Sequence, residues 1–200
     1  MTLTEILKHN SPEEIFTLLR SFASDLQIQA DPTIADPTQA AVLIPFIAHP
    51  DPTILLTLRT SHLNHHAGQI SFPGGRMDPN DVDLQSCVLR ETHEEIGLAA
   101  EHIEMVSDLG LWPSYSGYVV KPFIGIITPP VNFIPCSNEV AEIFEVPLSV
   151  ILEISRYELI HKESPIPHHY YQLEYNGKVI WGLTAGLLRL LAALVDHHQK

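Results

Sequence analysis

The stretch GGRMDPNDVDLQSCVLRETHEEIGL, residues 74–98, decides how this 200-residue chain is read. It opens on Gly74 and Gly75 and closes on Arg90-Glu91-Thr92-His93-Glu94-Glu95-Ile96-Gly97-Leu98. The spacing predicts an α-helix over residues 81–96, with Gly97 as its C-terminal stop. On a wheel of about 100° per residue, Val82, Leu89 and Ile96 gather on one side, the face expected to pack on a sheet. Leu84, Cys87 and Val88 lie on another side, which continues into Glu91, Glu94 and Glu95. Carboxylates that close together repel one another unless a cation sits among them. Mg²⁺ or Mn²⁺ suits the position, because hard cations take several oxygen ligands and keep places for water and phosphate. A solvated acidic face is the ordinary meaning of such a run. Here, however, the acidic side extends an apolar one. A Pro73-Gly74-Gly75 turn, of a kind that lets backbone approach a ligand, also precedes it.

Outward from this segment, the charge is lopsided: 24 Asp and Glu stand against 11 Lys and Arg, for a formal net charge of −13. Residues 78–108 carry nine of those carboxylates and one base, Arg90. So acidic a chain excludes a grip on nucleic acid or an anionic membrane through its own charge. Hydrophobic residues make up 45% and charged residues 18%, which excludes a disordered or fibrous chain and suits one ordinary domain. The two cysteines, Cys87 and Cys136, form neither a metal-ligand spacing nor a disulfide framework, as in a reducing compartment. The start of the chain carries Glu5 and lacks a secretory signal. The apolar run 183–195 is broken by Arg189 and is too short to span a bilayer. The expected location is cytoplasmic.

Two N-terminal helices are expected from the capping-box spacings Thr2 to Glu5 and Ser11 to Glu14. With a connecting loop they would form residues 1–38, packed on a main domain of residues 39–200. Strands are expected at 40–48, 53–59, 69–72, 103–109, 118–127, 157–160, 169–175 and 178–181. Asn176-Gly177 marks a hairpin between the last two. A short helix near 147–154 and a long one over 183–197 complete an α/β (α+β) pattern.

The segment 90–98 resembles the second half of the Nudix box, and Gly74-Gly75 its glycine start. Asp81 stands at the box's earlier acidic position with one extra residue before Arg90, and Thr92 replaces an aliphatic. Neither departure touches the three glutamates. The resemblance implies the Nudix α/β/α sandwich with a mixed β-sheet, and metal-dependent hydrolysis of a diphosphate. It implies Glu91, Glu94 and Glu95 as metal ligands, with Glu94 and Glu95 catalytic and Arg90 orienting them. Glu139, downstream of the box, would add a ligand or serve as general base, a role for which Glu142 is the alternative.

The preceding residues are similar to the CoA-pyrophosphatase branch of that family. Leu55-Leu56-Thr57-Leu58-Arg59-Thr60, Gly68 and Phe72-Pro73-Gly74-Gly75 keep its spacing. So do Ser116-Gly117-Tyr118-Val119-Val120, the segment 138–148, and Ile180-Trp181-Gly182-Leu183-Thr184-Ala185. Arg59, His66, Gly74 and Gly75 are then the expected substrate-binding residues. Asn64 stands where the branch has Arg, the natural partner of the CoA 3′-phosphate. The partner implied is a small CoA-like diphosphate, with no nucleic acid and no membrane, and a homodimer left open. The alternatives are a Nudix enzyme for ADP-ribose, NADH or a nucleoside triphosphate, and a non-catalytic Nudix-fold binding module.

Overall fold

The computed structural model describes residues 38–63, 66–114, 117–163 and 168–197. The helices expected within residues 1–37, and the positions of Asn64, His65, Tyr115 and Ser116, lie outside the described residues. Thr38, placed at the end of the N-terminal segment by the sequence reading, already belongs to the first strand.

That strand, β1 (Thr38–Ile47), is central. β7 (Tyr118–Ile127) runs parallel to it without a break from Thr38↔Tyr118 to Ile47↔Ile127. Both are nearly continuous runs of Val, Ile, Leu, Phe and Ala, as expected of strands covered on both faces. β2 (Thr53–Arg59) returns antiparallel after the His49-Pro50-Asp51-Pro52 connection, yet pairs with β1 only at Phe46↔Ile54 and Ile47↔Thr53. The two strands then part. β3 (Ile70–Ser71) pairs with β2 and β4 (Gly74–Arg76) with β1, and Leu43 N–H donates to Pro73 O at 2.8 Å. Residues 70–76 thus occupy the place where β1 and β2 would otherwise touch.

β8 (Val140–Pro147) covers the other side of β2, and β5 (Ile103–Asp108) and β6 (Trp112–Pro113) pair with β7. A second antiparallel sheet holds β9 (Glu158–Lys162), β10 (His168–Tyr175) and β11 (Lys178–Trp181). The β10–β11 turn is Asn176-Gly177, with φ of 50° and 73°, as the hairpin signal requires. The helices are α1 (Leu84–Ile96), a single turn α2 (Leu148–Ile151) and α3 (Gly182–His197).

Period-two alternation in β1 and β2 sorts the core into two layers. Ala41, Leu43, Ile47 and Leu55 meet Cys87, Val88 and Ile96 of α1. Ile44, Phe46, Ile54 and Leu56 meet Leu187, Leu188, Leu191 and Val195 of α3. A mixed sheet between helices is the α/β/α sandwich expected from the sequence. Each buried Leu or Ile contributes roughly 1.5–3 kcal/mol.

Three local expectations need correction. α1 begins at Leu84 rather than 81, which leaves Val82 91% exposed instead of packed on the sheet. Gly74-Gly75 is not a turn but part of a short strand, in register with Val42 and Ala41. A Cβ on Gly74 would come 2.2 Å from Ala41 O, so the close approach it permits is to β1. The segment before the helix expected near 147–154 is an eight-residue strand, β8, and that helix is the four-residue α2.

Candidate active site

The capping of α1 is what aims its carboxylates. Asp83 accepts from Ser86 N–H at 2.7 Å, and Ser86 Oγ accepts from Asp83 N–H at 3.0 Å, a reciprocal box that starts the helix. Gly97, at φ 70°, ends it by donating to His93 O at 2.9 Å. Between these ends Cys87, Val88, Thr92, Glu95 and Ile96 form the buried face. The sheet-facing side therefore carries Glu95 alongside Cys87, Val88 and Ile96, and of the Val82-Leu89-Ile96 set only Val82 stays out of the core.

Thr92, fully buried, leaves its Oγ1 without a hydrogen-bond partner among the described residues. The isosteric change Thr92→Val is expected to stabilise the fold by about 1 kcal/mol, because it removes a desolvated hydroxyl and keeps the shape. Urea midpoints would read this, and a lower midpoint would show that the hydroxyl does have a partner.

Glu95 is 2% exposed. Its Oε1 accepts from Arg59 NH1 at 2.9 Å and its Oε2 from Gly74 N–H at 3.1 Å. Burial nevertheless pushes its carboxyl up to about 7, against the pull of those two donors. Burial raises Glu91 as well, and the charges of Glu94 and Glu139 add to the rise. The Glu91 carboxylate occupies the space that a side chain on Gly75 would need: a Cβ there would lie 2.4 Å from the carboxyl carbon.

Arg90 holds the outer acids. Its Nε and NH2 donate to the two oxygens of Asp81 at 2.9 and 2.8 Å, and its NH1 donates to Glu91 at 2.9 Å and Glu94 at 3.0 Å. The fork on Asp81 keeps that carboxyl down near 2. Asp81 also accepts from Asp78 N–H at 2.7 Å, which is why the chain here is a turn and not yet helix. Glu139, on the loop before β8, lies 3.7 Å from Arg59 NH2.

The structure thus joins Arg90 to Glu91 and Glu94, and Arg59 and Gly74 to Glu95, with Glu139 close by. His66 stands apart in the loop after β2: its Nδ1 bonds Gln69 Oε1 at 2.9 Å. Sequence reasoning missed the Arg59–Glu95 pair and the Gly74 donor. Arg59 is expected from the sequence as a substrate-binding residue, and no local pattern announces a contact between residues 36 positions apart.

Among the described residues no group of three His, Cys, Asp or Glu side chains is placed to hold a metal ion as the side chains stand. The donor chemistry still fits a hard divalent cation. All the acids offer oxygen, Gly75 leaves room for Glu91, and burial disfavours the anionic forms of Glu91 and Glu95, a penalty that a bound cation would offset.

The NUDIX domain profile matches residues 37–164. The uncharacterized Nudix hydrolase NudL of Yersinia pestis (strain Pestoides F) is 45% identical over 160 residues, covering 79% of this chain and 80% of its own. The protein of the same description from Yersinia pseudotuberculosis serotype O:1b gives the same figures. Among solved structures, the binary complex of a C. elegans Ap4A hydrolase superposes with a TM-score of 0.52 at 15% identity, covering 81% of this chain and 97% of that one. A MutT/nudix family protein from Enterococcus faecalis gives 0.50 at 16% identity, covering 100% and 76%. At such identities the structural likeness is one of fold. The profile match and the 45% identity carry the family, and this chain belongs to the Nudix hydrolases.

Proposed function

We propose that this Nudix hydrolase cleaves the diphosphate of CoA or acyl-CoA, with water, to 3′,5′-ADP and (acyl-)4′-phosphopantetheine. The observation that carries the hydrolytic reading is the set of glutamates on α1, held by Arg90 and Arg59, with the carboxyls of Glu91 and Glu95 raised by burial. The observation that favours CoA is the intact spacing from Leu55 through Arg59 and Gly68 to Phe72-Pro73-Gly74-Gly75.

In this reading Glu91, Glu94 and Glu95 hold Mg²⁺ or Mn²⁺. When bound there, such an ion would neutralise the diphosphate and lower the pKa of an attacking water. Glu139 accepts the proton of that water, from a loop that keeps its carboxylate half-exposed. Arg90 keeps Glu91 and Glu94 oriented and, through Asp81, ties them to the turn before the helix. The chain would work in the cytoplasm on a small diphosphate. No helix among the described residues is long and apolar enough to cross a membrane.

The test is a substrate panel with Mg²⁺ or Mn²⁺: CoA, acyl-CoAs, dephospho-CoA, ADP-ribose, NADH and nucleoside triphosphates. The highest kcat/KM is expected on CoA or an acyl-CoA. A preference for ADP-ribose, NADH or a triphosphate would overturn the CoA assignment, and no turnover at all would overturn catalysis itself. Asn64→Arg is expected to improve kcat/KM for CoA over dephospho-CoA by about tenfold, the worth of one charge-assisted phosphate contact. Equal improvement for both would show that position 64 does not meet the 3′-phosphate.

A further inference from the structure

The end of β2 does more than finish a strand. β2 and β8 pair regularly from Thr53↔Pro147 to Leu58↔Glu142, and the register then shifts so that Arg59 faces Val140. Ala141 is the extra residue of a bulge, a device that bends a strand and re-aims its side chains. Immediately beyond, Thr60 N–H donates to Glu139 O at 2.9 Å, and Thr60 Oγ1 donates to Asn138 O at 3.2 Å. A His62 ring nitrogen also meets Asn138 O at 3.1 Å.

The same loop is fastened on its other side to α1. Ile134 N–H donates to Ile96 O at 2.8 Å and Cys136 N–H to Glu95 O at 2.9 Å, while Cys136 O accepts from the amides of Glu139 and Val140. Across this frame lies the Arg59 guanidinium, with NH1 on Glu95 at 2.9 Å and NH2 3.7 Å from Glu139. Its Nε is buried and unpartnered among the described residues. The side chain keeps this pose although one of its donors goes unsatisfied.

We infer that Arg59 and Thr60 form a clamp that sets the loop carboxylate of Glu139 at a fixed distance from the helix carboxylate of Glu95. Arg59 is then a positioning residue, acting through two acids and not as the substrate-binding residue its place in the signature suggests. A planar guanidinium suits this task because its fork fixes two partners at once, which an ammonium cannot do. The clamp holds before substrate arrives, so no reorganisation of the two acids is needed during the reaction. The inference rests on the hydrolytic reading above for its kinetic consequence only.

Two measurements test it on the full chain. In kinetics with CoA at saturating Mn²⁺, Arg59→Gln is expected to lower kcat by about 10–100-fold, as for partners that orient metal-site ligands, with KM changed less than about threefold. Arg59→Lys should fall between the two. In a Glu139→Gln background, Arg59→Gln should cost little more, because both changes disable one device. A large rise in KM with kcat kept, and full additivity with Glu139→Gln, would assign Arg59 to substrate and overturn the clamp.

The second measurement needs no turnover. Hydrogen exchange of the Glu139 and Val140 amides is expected to quicken about tenfold in both Arg59→Gln and Thr60→Val. Unchanged exchange in both variants would overturn the clamp whatever the substrate proves to be. Quickened exchange in a protein that turns over no CoA compound would keep the clamp and sink the proposed function.

Discussion

Glu95→Gln is expected to lower kcat by about three orders of magnitude while the protein stays folded. The amide has the shape of the carboxylate it replaces but not its charge. In the native site the two oxygens of Glu95 face two donors, Arg59 NH1 and Gly74 N–H. One of these would meet the new NH2 group and lose its acceptor, at a cost of roughly 1 kcal/mol. Removal of a charge that burial disfavours offsets that loss, so the fold persists. What disappears is an anionic oxygen for a divalent cation. Steady-state kinetics at saturating Mn²⁺, with circular dichroism as a check on folding, would read the effect. Activity within tenfold of the parent would take Glu95 out of the proposed metal set.

The second large effect concerns pH. With the carboxyl of Glu95 raised from 4.5 to about 7, the native state binds this proton more tightly than the unfolded chain does. The stability it contributes is complete below about pH 4.5 and is lost as the pH climbs through about 7. A shift of that size corresponds to about 3 kcal/mol in EDTA, for a side chain only 2% exposed. Glu91 shifts in the same direction and adds to the loss. Asp81 works in the opposite sense, but its carboxyl, held near 2, is already ionised throughout this window.

Urea midpoints in EDTA should therefore fall between about pH 5 and pH 8, and Glu95→Gln should flatten that fall. Mn²⁺ at about a hundred times its dissociation constant should return about 2.7 kcal/mol to the parent at the alkaline end and much less to the variant. A parent whose stability does not change over this range would show that Glu95 ionises without penalty.

These expectations rest on features of unequal visibility in the sequence. β1, β2 and β7 could be read directly, because strands covered on both faces need unbroken apolar runs. The β10–β11 hairpin could be read from two residues, since few sequences besides Asn-Gly accept two successive positive φ angles. β8 could not: its outward acids Glu142 and Glu145 and its bulge erase any period of two. The start of α1 was placed three residues early because Asp81 is spent on Arg90 and on the preceding turn, a contact across nine positions. The strand character of Gly74-Gly75 was hidden for a related reason. Glycine ordinarily weakens a strand, and the need for it comes from Ala41 O and the Glu91 carboxylate, both remote in the chain. The three glutamates were visible as a motif, but the arginine that holds the innermost one was not visible as its partner.

The pairing of β2 with β8 has a consequence for how the protein comes to be active. Residues 53–59 and 140–147 are neighbours only after the intervening chain exists, and the parallel β1–β7 pair spans a similar separation. Contacts so distant in sequence raise the contact order and slow assembly. Glu95 can take its place within α1 early, since the helix is local. The alignment of Arg59 with the Glu139 loop waits for β8 to pair with β2. A nascent or truncated chain ending before β8 carries the whole glutamate motif but lacks the strand that lines up Arg59 with the Glu139 loop.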